Sequence, residues 1–263
     1  MTQLTTRYDQ VAIVLAAGRG SRISEVTSDP KILLPINDET ILERHLRIFV
    51  SLGIWKVSVV VGYKKDKVVE EARQFSNELD LTFVCNDDFD RKGNAYSLFL
   101  GIAEALAPVL IFDGDVVYSE EILGRFVDAE LTDALLVGKG DLDDIECAKT
   151  LVDTANVVRK TVDKRALTEQ ELGQYRFAGE AIGIMKFSAD YCTELIQLSR
   201  EFFSKEQNFP LNWEHLLSWF FENHQVGCHL EESTDWIEID TPADYREACS
   251  RFAAPALAKS QNK

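Results

Sequence analysis

A chain of 263 residues, 46% of them hydrophobic, can bury a substantial core, and no Ser/Gly-rich or Pro-rich linker, internal repeat or low-complexity tract divides it. This predicts a single domain over residues 1–263, with its core at about 11–252 and loose ends at 1–10 and 254–263. A formal charge of −16 disfavours nucleic acid and anionic membrane as partners, the apolar runs are only strand-length, and the polar start lacks a secretory segment, so the expected location is the cytoplasm.

The first element is the β-branched run 11–15, a buried strand that gives way to Ala16-Ala17-Gly18-Arg19-Gly20-Ser21-Arg22. Gly18 and Gly20 let backbone N–H groups approach an anion, and Arg22 with Lys31 of Asp29-Pro30-Lys31 can neutralise a gripped polyphosphate. A plain strand-to-helix turn accounts for the glycines but not for the two cations. The loop lacks the third glycine of a dinucleotide fingerprint and the Gly-Lys-Ser/Thr of a Walker loop. An acidic chain that binds polyphosphate needs these local cations and, beside them, a divalent metal.

A helix over 40–52, a strand over 57–61, a helix over 65–76, a strand over 81–85, a helix over 94–106 and a strand over 109–112 follow. A helix over 119–129, opened by Ser119 as N-cap, and a strand over 134–137 continue the series. Such alternation predicts an α/β, Rossmann-like doubly wound, mostly parallel mixed sheet. Residues 147–162 read as a β-hairpin about Asp153-Thr154-Ala155-Asn156, an extension beside the main sheet. A strand over 181–185 returns to the sheet, and amphipathic helices over 189–203 and 212–223 pack outside it. The apolar face of Leu216, Leu217, Phe220 and Phe221 suits a core or a homo-oligomer interface alike.

Ligands of such sheets bind at the carboxyl ends of the strands. Ile111-Phe112-Asp113-Gly114-Asp115 puts two carboxylates at that rim, and Trp236-Ile237-Glu238-Ile239-Asp240-Thr241-Pro242 puts Asp240 at a strand end before a helix that Thr241 can cap. The five cysteines are dispersed and never in Cys-x-x-Cys spacing, and the four histidines have no ligand spacing; both are expected as packing or surface residues.

The run Leu15-Ala16-Ala17-Gly18-x-Gly20-Ser21-Arg22 followed by Pro30-Lys31 resembles the opening of the nucleotidylyltransferases, which join an NTP to a phosphorylated small molecule and release pyrophosphate. Asn94-Ala95-Tyr96-Ser97-Leu98 and Gly179-Glu180-Ala181-Ile182-Gly183-Ile184 resemble the phosphocholine and 2-aminoethylphosphonate cytidylyltransferases more than the sugar-phosphate branch. The resemblance implies a nucleotide-diphospho-sugar transferase-like fold with a β-hairpin extension, and Mg²⁺-dependent transfer of CMP from CTP to a small phosphate- or phosphonate-bearing acceptor. It implies nucleotide binding by Leu15, Ala16, Ala17, Gly18, Gly20, Ser21, Arg22 and Lys31, with Arg22 and Lys31 catalytic, and base contacts at Asn94 and Ser97. The metal falls to Asp115 and Asp240, with Asp113 a weaker candidate; the acceptor falls to Glu180, Tyr175, Phe177 and Trp236, with Lys149 or Lys164 gripping its phosphate. Asn94 as a helix N-cap, Glu180 as a surface strand residue, a hexose-1-phosphate acceptor and a non-catalytic nucleotide-binding module remain alternatives.

Overall fold

The computed structural model describes residues 8–253. The first half of the chain runs β1 (Tyr8–Ala16), β2 (Pro35–Ile36), β3 (Glu39–Thr40), α1 (Ile41–Leu52), β4 (Ile54–Val61), α2 (Lys65–Ala72), β5 (Asp80–Cys85), α3 (Asn94–Ala105), β6 (Val109–Asp113), β7 (Val116–Tyr118) and α4 (Glu120–Asp128). The second half runs β8 (Ala134–Gly138), β9 (Lys149–Val152), β10 (Val158–Val162), α5 (Glu169–Gln174), β11 (Arg176–Phe187), α6 (Ala189–Phe202), α7 (Trp213–Phe221), β12 (Gly227–Leu230), β13 (Trp236–Glu238) and α8 (Pro242–Arg251).

A nine-stranded mixed sheet has the path β10-β9-β11-β6-β1-β4-β5, with β8 paired to β11 and β12 paired to β8. The β5, β4, β1 and β6 strands run parallel, and β11 is antiparallel to β6. Two-residue periodicity along β1 divides the core. Ala12, Val14 and Ala16 face the layer made by α1, α2, α4 and α8, while Ile13 and Leu15 face α3, α6 and α7. Both layers are closed by fully buried aromatics, Phe49, Phe112 and Phe126 on one side and Phe187, Phe202 and Phe220 on the other, each contributing roughly 1.5–3 kcal/mol of transfer free energy. From β1 the chain winds outward to β4 and β5, then returns to lay β6 on the other side of β1. The carboxyl ends of β1 and β6 therefore flank a topological switch point, where a crevice opens.

The expected helix over 40–52 is α1 with a capping box, in which Thr40 Oγ1 accepts from the Glu43 N–H and Glu43 Oε2 accepts from the Thr40 N–H, and with Gly53 closing it at φ 76°. Three expectations change. The first strand begins at Tyr8, because the Tyr8 N–H donates to the Gly53 carbonyl and its hydroxyl to Asp128; the rest of the expected loose ends lies outside the described residues. The expected helix over 65–76 tightens into a 3₁₀ turn after Ala72. The hairpin 147–162 is part of the main sheet, because β11 extends to twelve residues and its first half pairs with β9.

Leu216, Leu217, Phe220 and Phe221 are buried within the chain itself and form core. All five cysteines are unpaired, and no helix is long and apolar enough to cross a membrane among the described residues.

Candidate active site

After β1 the glycine loop turns through a 3₁₀ segment, Ser21–Ile23, whose Ile23 side chain is buried and pins the loop to the core. Gly20 adopts φ 68°, and a Cβ there would lie 2.9 Å from Lys31 Cβ; its absence lets the Lys31 chain cross the loop. A cleft of about 260 Å³ follows, lined by Leu15, Ala16, Ala17, Gly18, Gly20 and Lys31 from this segment. Its opposite wall holds Asn86, just past β5, and Asn94 and Ser97 of α3. Asn86 Nδ2 donates to Ser97 Oγ at 3.0 Å, and both are buried. Gly93, not Asn94, is the N-cap of α3; Asn94 Oδ1 accepts from the Trp213 N–H at 2.8 Å and ties the starts of α3 and α7 together.

The cleft opens onto a carboxylate cluster. Asp115 lies just past β6, and Glu238 and Asp240 come from β13 and the residues beyond it, held there by the β13–β7 pairing and by Ile239 N–H donating to the Asp115 carbonyl. One oxygen from each of the three lies within 4.8 Å of the others. The Lys31 ammonium sits between Asp115 (2.7 Å) and Asp240 (2.9 Å), Arg22 reaches Asp240 at 2.9 Å, and Lys164 reaches Asp240 at 2.5 Å and Glu238 at 3.5 Å. Thr241 caps α8 through a box with Asp244, leaving the Asp240 side chain to these cations.

Crowding of like charge shows in the protonation preferences. Burial works against the charged forms of both Lys31 and Asp240, yet each overcomes it: Asp115 and Asp240 hold the Lys31 ammonium above the ordinary lysine range, and Lys31 and Lys164 hold Asp240 well below the usual carboxylate range. Burial and the Asp115 charge push Asp113 up to about 8 despite the Trp213 Nε1–H bond it accepts at 2.8 Å. Burial, Asp115 and Asp240 push Glu238 well above the carboxylate range. Hard oxygen donors this close, with Asp113 and Glu238 holding their protons against the crowding of charge, fit a hard divalent ion whose charge would favour the ionised forms.

Beyond the cluster lies a second space of about 430 Å³, lined by Glu180, Asp144, Glu146, Lys164, Trp236 and the α8 start. Gly138 makes room for Trp236, since a Cβ there would stand 2.5 Å from the ring. Burial and Asp144 push Glu180 up to about 7. A third space of about 360 Å³ joins the cluster to Asp163, Asn212 and Glu214.

Of the expected residues, Leu15, Ala16, Ala17, Gly18, Gly20, Lys31, Asn94, Ser97 and Asp115 meet in the first cleft, and Arg22, Asp240, Glu180, Trp236 and Lys164 border the adjoining spaces. Ser21, Tyr175 and Phe177 line none of the three; Ser21 is exposed on the loop, and Tyr175 and Phe177 are half-buried where α5 runs into β11. Lys149 corrects the expectation that it grips a phosphate. Its side chain is wholly buried, and its ammonium donates to the carbonyls of Asp144, Cys147 and Arg165. Sequence reasoning missed Glu238, although it lies only two residues before Asp240, at the end of the strand that leads to it. It also missed Asn86, Asn212 and Glu214; a strand-end asparagine offers a faint signal, but the residues opening an apolar helix such as α7 offer none.

A glycine loop facing a carboxylate cluster across the switch point of an α/β sheet is the arrangement of a nucleotidyltransferase. Residues 12–165 match the MobA-like NTP transferase domain, and the chain belongs to that family. It is 26% identical over 254 residues to a CTP:phosphoglutamine cytidylyltransferase of Campylobacter jejuni, covering 89% of this chain and 96% of that protein. It is 28% identical over 259 residues to a CMP-5'-(3-aminopropyl)phosphonate synthase of Streptomyces rubellomurinus, covering 93% of this chain and 39% of that longer protein. Its fold is similar to that of a solved CTP:phosphocholine cytidylyltransferase from Streptococcus pneumoniae, with a TM-score of 0.70 and 22% identity over 92% of this chain and 98% of that one.

Proposed function

We propose that this nucleotidyltransferase moves CMP from CTP to a small acceptor that carries a phosphate or phosphonate at one end and an amine at the other, releasing pyrophosphate. The observation that carries the reading is the meeting of Asp115, Glu238 and Asp240 between the glycine-loop cleft and the two acid-lined spaces beside it. The names of the relatives support the choice of nucleotide and acceptor.

In this reading the base enters beside Ala16, Ala17, Asn86 and Ser97. Ser97 Oγ already accepts a hydrogen bond from Asn86, so its own hydrogen is free to donate to an acceptor atom on the base edge. Such a hydrogen can meet N3 of cytosine, which accepts, and cannot meet N3 of uracil, which carries hydrogen. Backbone N–H groups of the glycine loop, with Arg22 and Lys31, hold the β- and γ-phosphates and stabilise the charge that develops on pyrophosphate. Asp115, Glu238 and Asp240 would hold Mg²⁺, which when bound supplies charge neutralisation at the α-phosphate and a template for in-line attack. Lys164 orients the acceptor's phosphoryl group. An acceptor oxygen forms the new bond to the α-phosphorus as the bond to the bridging oxygen breaks, and that oxygen leaves with pyrophosphate. The acceptor is already anionic, so no protein base is required.

Pyrophosphate release measured with Mg²⁺ across four NTPs, each paired with phosphocholine, 2-aminoethylphosphonate, amino-acid-like phosphates and hexose 1-phosphates, tests the reading. Release that needs CTP and an amine-bearing acceptor is the expected result. Release only with a hexose 1-phosphate, or none with any pair, refutes it.

A further inference from the structure

The 360 Å³ space holds six acidic side chains, Asp113, Asp115, Asp163, Glu214, Glu238 and Asp240, of which burial and crowding push Asp113, Glu214 and Glu238 above the usual carboxylate range, and three cations, Arg22, Lys31 and Lys164. Inside this space all three cations pair only with Asp115, Glu238 and Asp240. Among the described residues no lysine, arginine or histidine pairs with Glu214 or Asp163, whose Oδ2 accepts from Asn212 Nδ2 at 3.0 Å. Glu214 is 7% exposed, and its buried Oε2 accepts no hydrogen bond. An unpaired carboxyl oxygen in such a place costs stability that nothing in the free protein returns. Its backbone is held, because the Glu214 carbonyl accepts from Thr161 Oγ1 at 3.0 Å and binds α7 to β10.

We propose that Glu214, with Asp163 beside it, receives the cationic end of the acceptor, an ammonium whose N–H donors meet the unpartnered Oε2. The inference rests on the proposed acceptor chemistry and adds the residue that recognises it. Lys164 borders the same space and takes the phosphoryl end, while Glu214 and Asp163 lie on the wall formed by α7 and the turn after β10, so the two ends of a short zwitterion are received by opposite charges in one cavity. Glu180 lines the wider neighbouring space and is not needed for this contact. Glu214 is a specificity-determining residue, and it takes no part in the transfer of the nucleotidyl group.

The test is Glu214→Gln, which keeps shape and removes charge, assayed by pyrophosphate release with 2-aminoethylphosphonate and with its hydroxyl analogue, 2-hydroxyethylphosphonate. Loss of a charge-assisted contact raises KM for the amine by about ten-fold or more, leaves KM for the nucleotide within about two-fold, and erases the preference for amine over hydroxyl. Asp163→Asn, on the more exposed partner, gives the same change of preference to a lesser degree and decides the matter if the glutamine variant does not fold. An unchanged amine preference in the folded variants overturns the assignment. So does a wild-type enzyme that prefers the hydroxyl analogue, which would make Glu214 a neutral donor. If the wild type works with another NTP in place of CTP, the reading of the nucleotide fails, and the same amine-to-hydroxyl comparison with that NTP still decides Glu214.

Discussion

Lys149→Met is the substitution whose consequence the structure sets most sharply. The ammonium is wholly buried and joins two separate segments: the loop carrying Asp144 and Cys147, and the turn carrying Arg165. Methionine fills most of the volume but leaves three carbonyl oxygens without this donor. An unpartnered buried acceptor costs roughly 1–3 kcal/mol, although Asp144 and Arg165 are exposed residues whose carbonyls water can reach, and removing the ammonium also removes its own cost of burial. The net loss is then about 1–3 kcal/mol, which at ~2–4 °C per kcal/mol for a chain of this size lowers Tm by roughly 2–12 °C. These segments contribute Asp144, Glu146, Asp163 and Lys164 to the spaces on the acceptor side and nothing to the glycine-loop cleft. Thermal unfolding followed by circular dichroism, with pyrophosphate release at varied acceptor and varied nucleotide, therefore separates the effects: Tm falls, KM for the acceptor rises and KM for the nucleotide holds. A variant that melts with the wild type, or that loses nucleotide and acceptor affinity equally, refutes the reasoning.

Asp115→Asn removes a carboxylate from the cluster and relieves repulsion on Asp113 and Glu238, so turnover with Mg²⁺ falls by ~10²-fold or more while Tm shifts by only a few degrees; near-normal activity would remove Asp115 from the metal site. Lys31→Ala lowers kcat/KM for the nucleotide by ~10²-fold, a larger effect than its loss of stability, because Asp240 keeps Arg22 and Lys164 as partners; an unaltered kcat/KM would place Lys31 outside the chemistry. Glu180 is protonated more readily folded than unfolded, so its contribution to stability is largest below the usual carboxylate range and declines as pH rises towards about 7. Glu180→Gln accordingly flattens the fall of Tm between about pH 4.5 and 7 and raises Tm at pH 8, and an unchanged Tm–pH curve would contradict the burial that raises its pKa.

Much of this was legible in the residues because local periodicity and backbone chemistry carry it. The β-branched run into Gly18 and Gly20 marks a strand that ends at a glycine loop whatever surrounds it, and the alternation from α1 to α4 sets the winding of the sheet. Short strands such as β7 and β12 escaped, since three or four residues hold too little pattern to outweigh a turn, and only their pairing defines them.

The side-chain types that could serve nucleotide and metal, Arg22, Lys31, Asp115 and Asp240, are properties of the sequence, because glycine spacing and charge need no partner to be recognised. Which of them meet was decided by the tertiary structure. Glu238 becomes part of the cluster only because β13 pairs with β7, Lys149 becomes a structural tie because two loops close over it, and Glu214 faces the cavity only because α7 packs on β10. A lysine or glutamate reads the same in the sequence whether it is spent on a carbonyl, paired or left without a partner; burial and distance make that choice, and both arise only when segments far apart in the chain pack together.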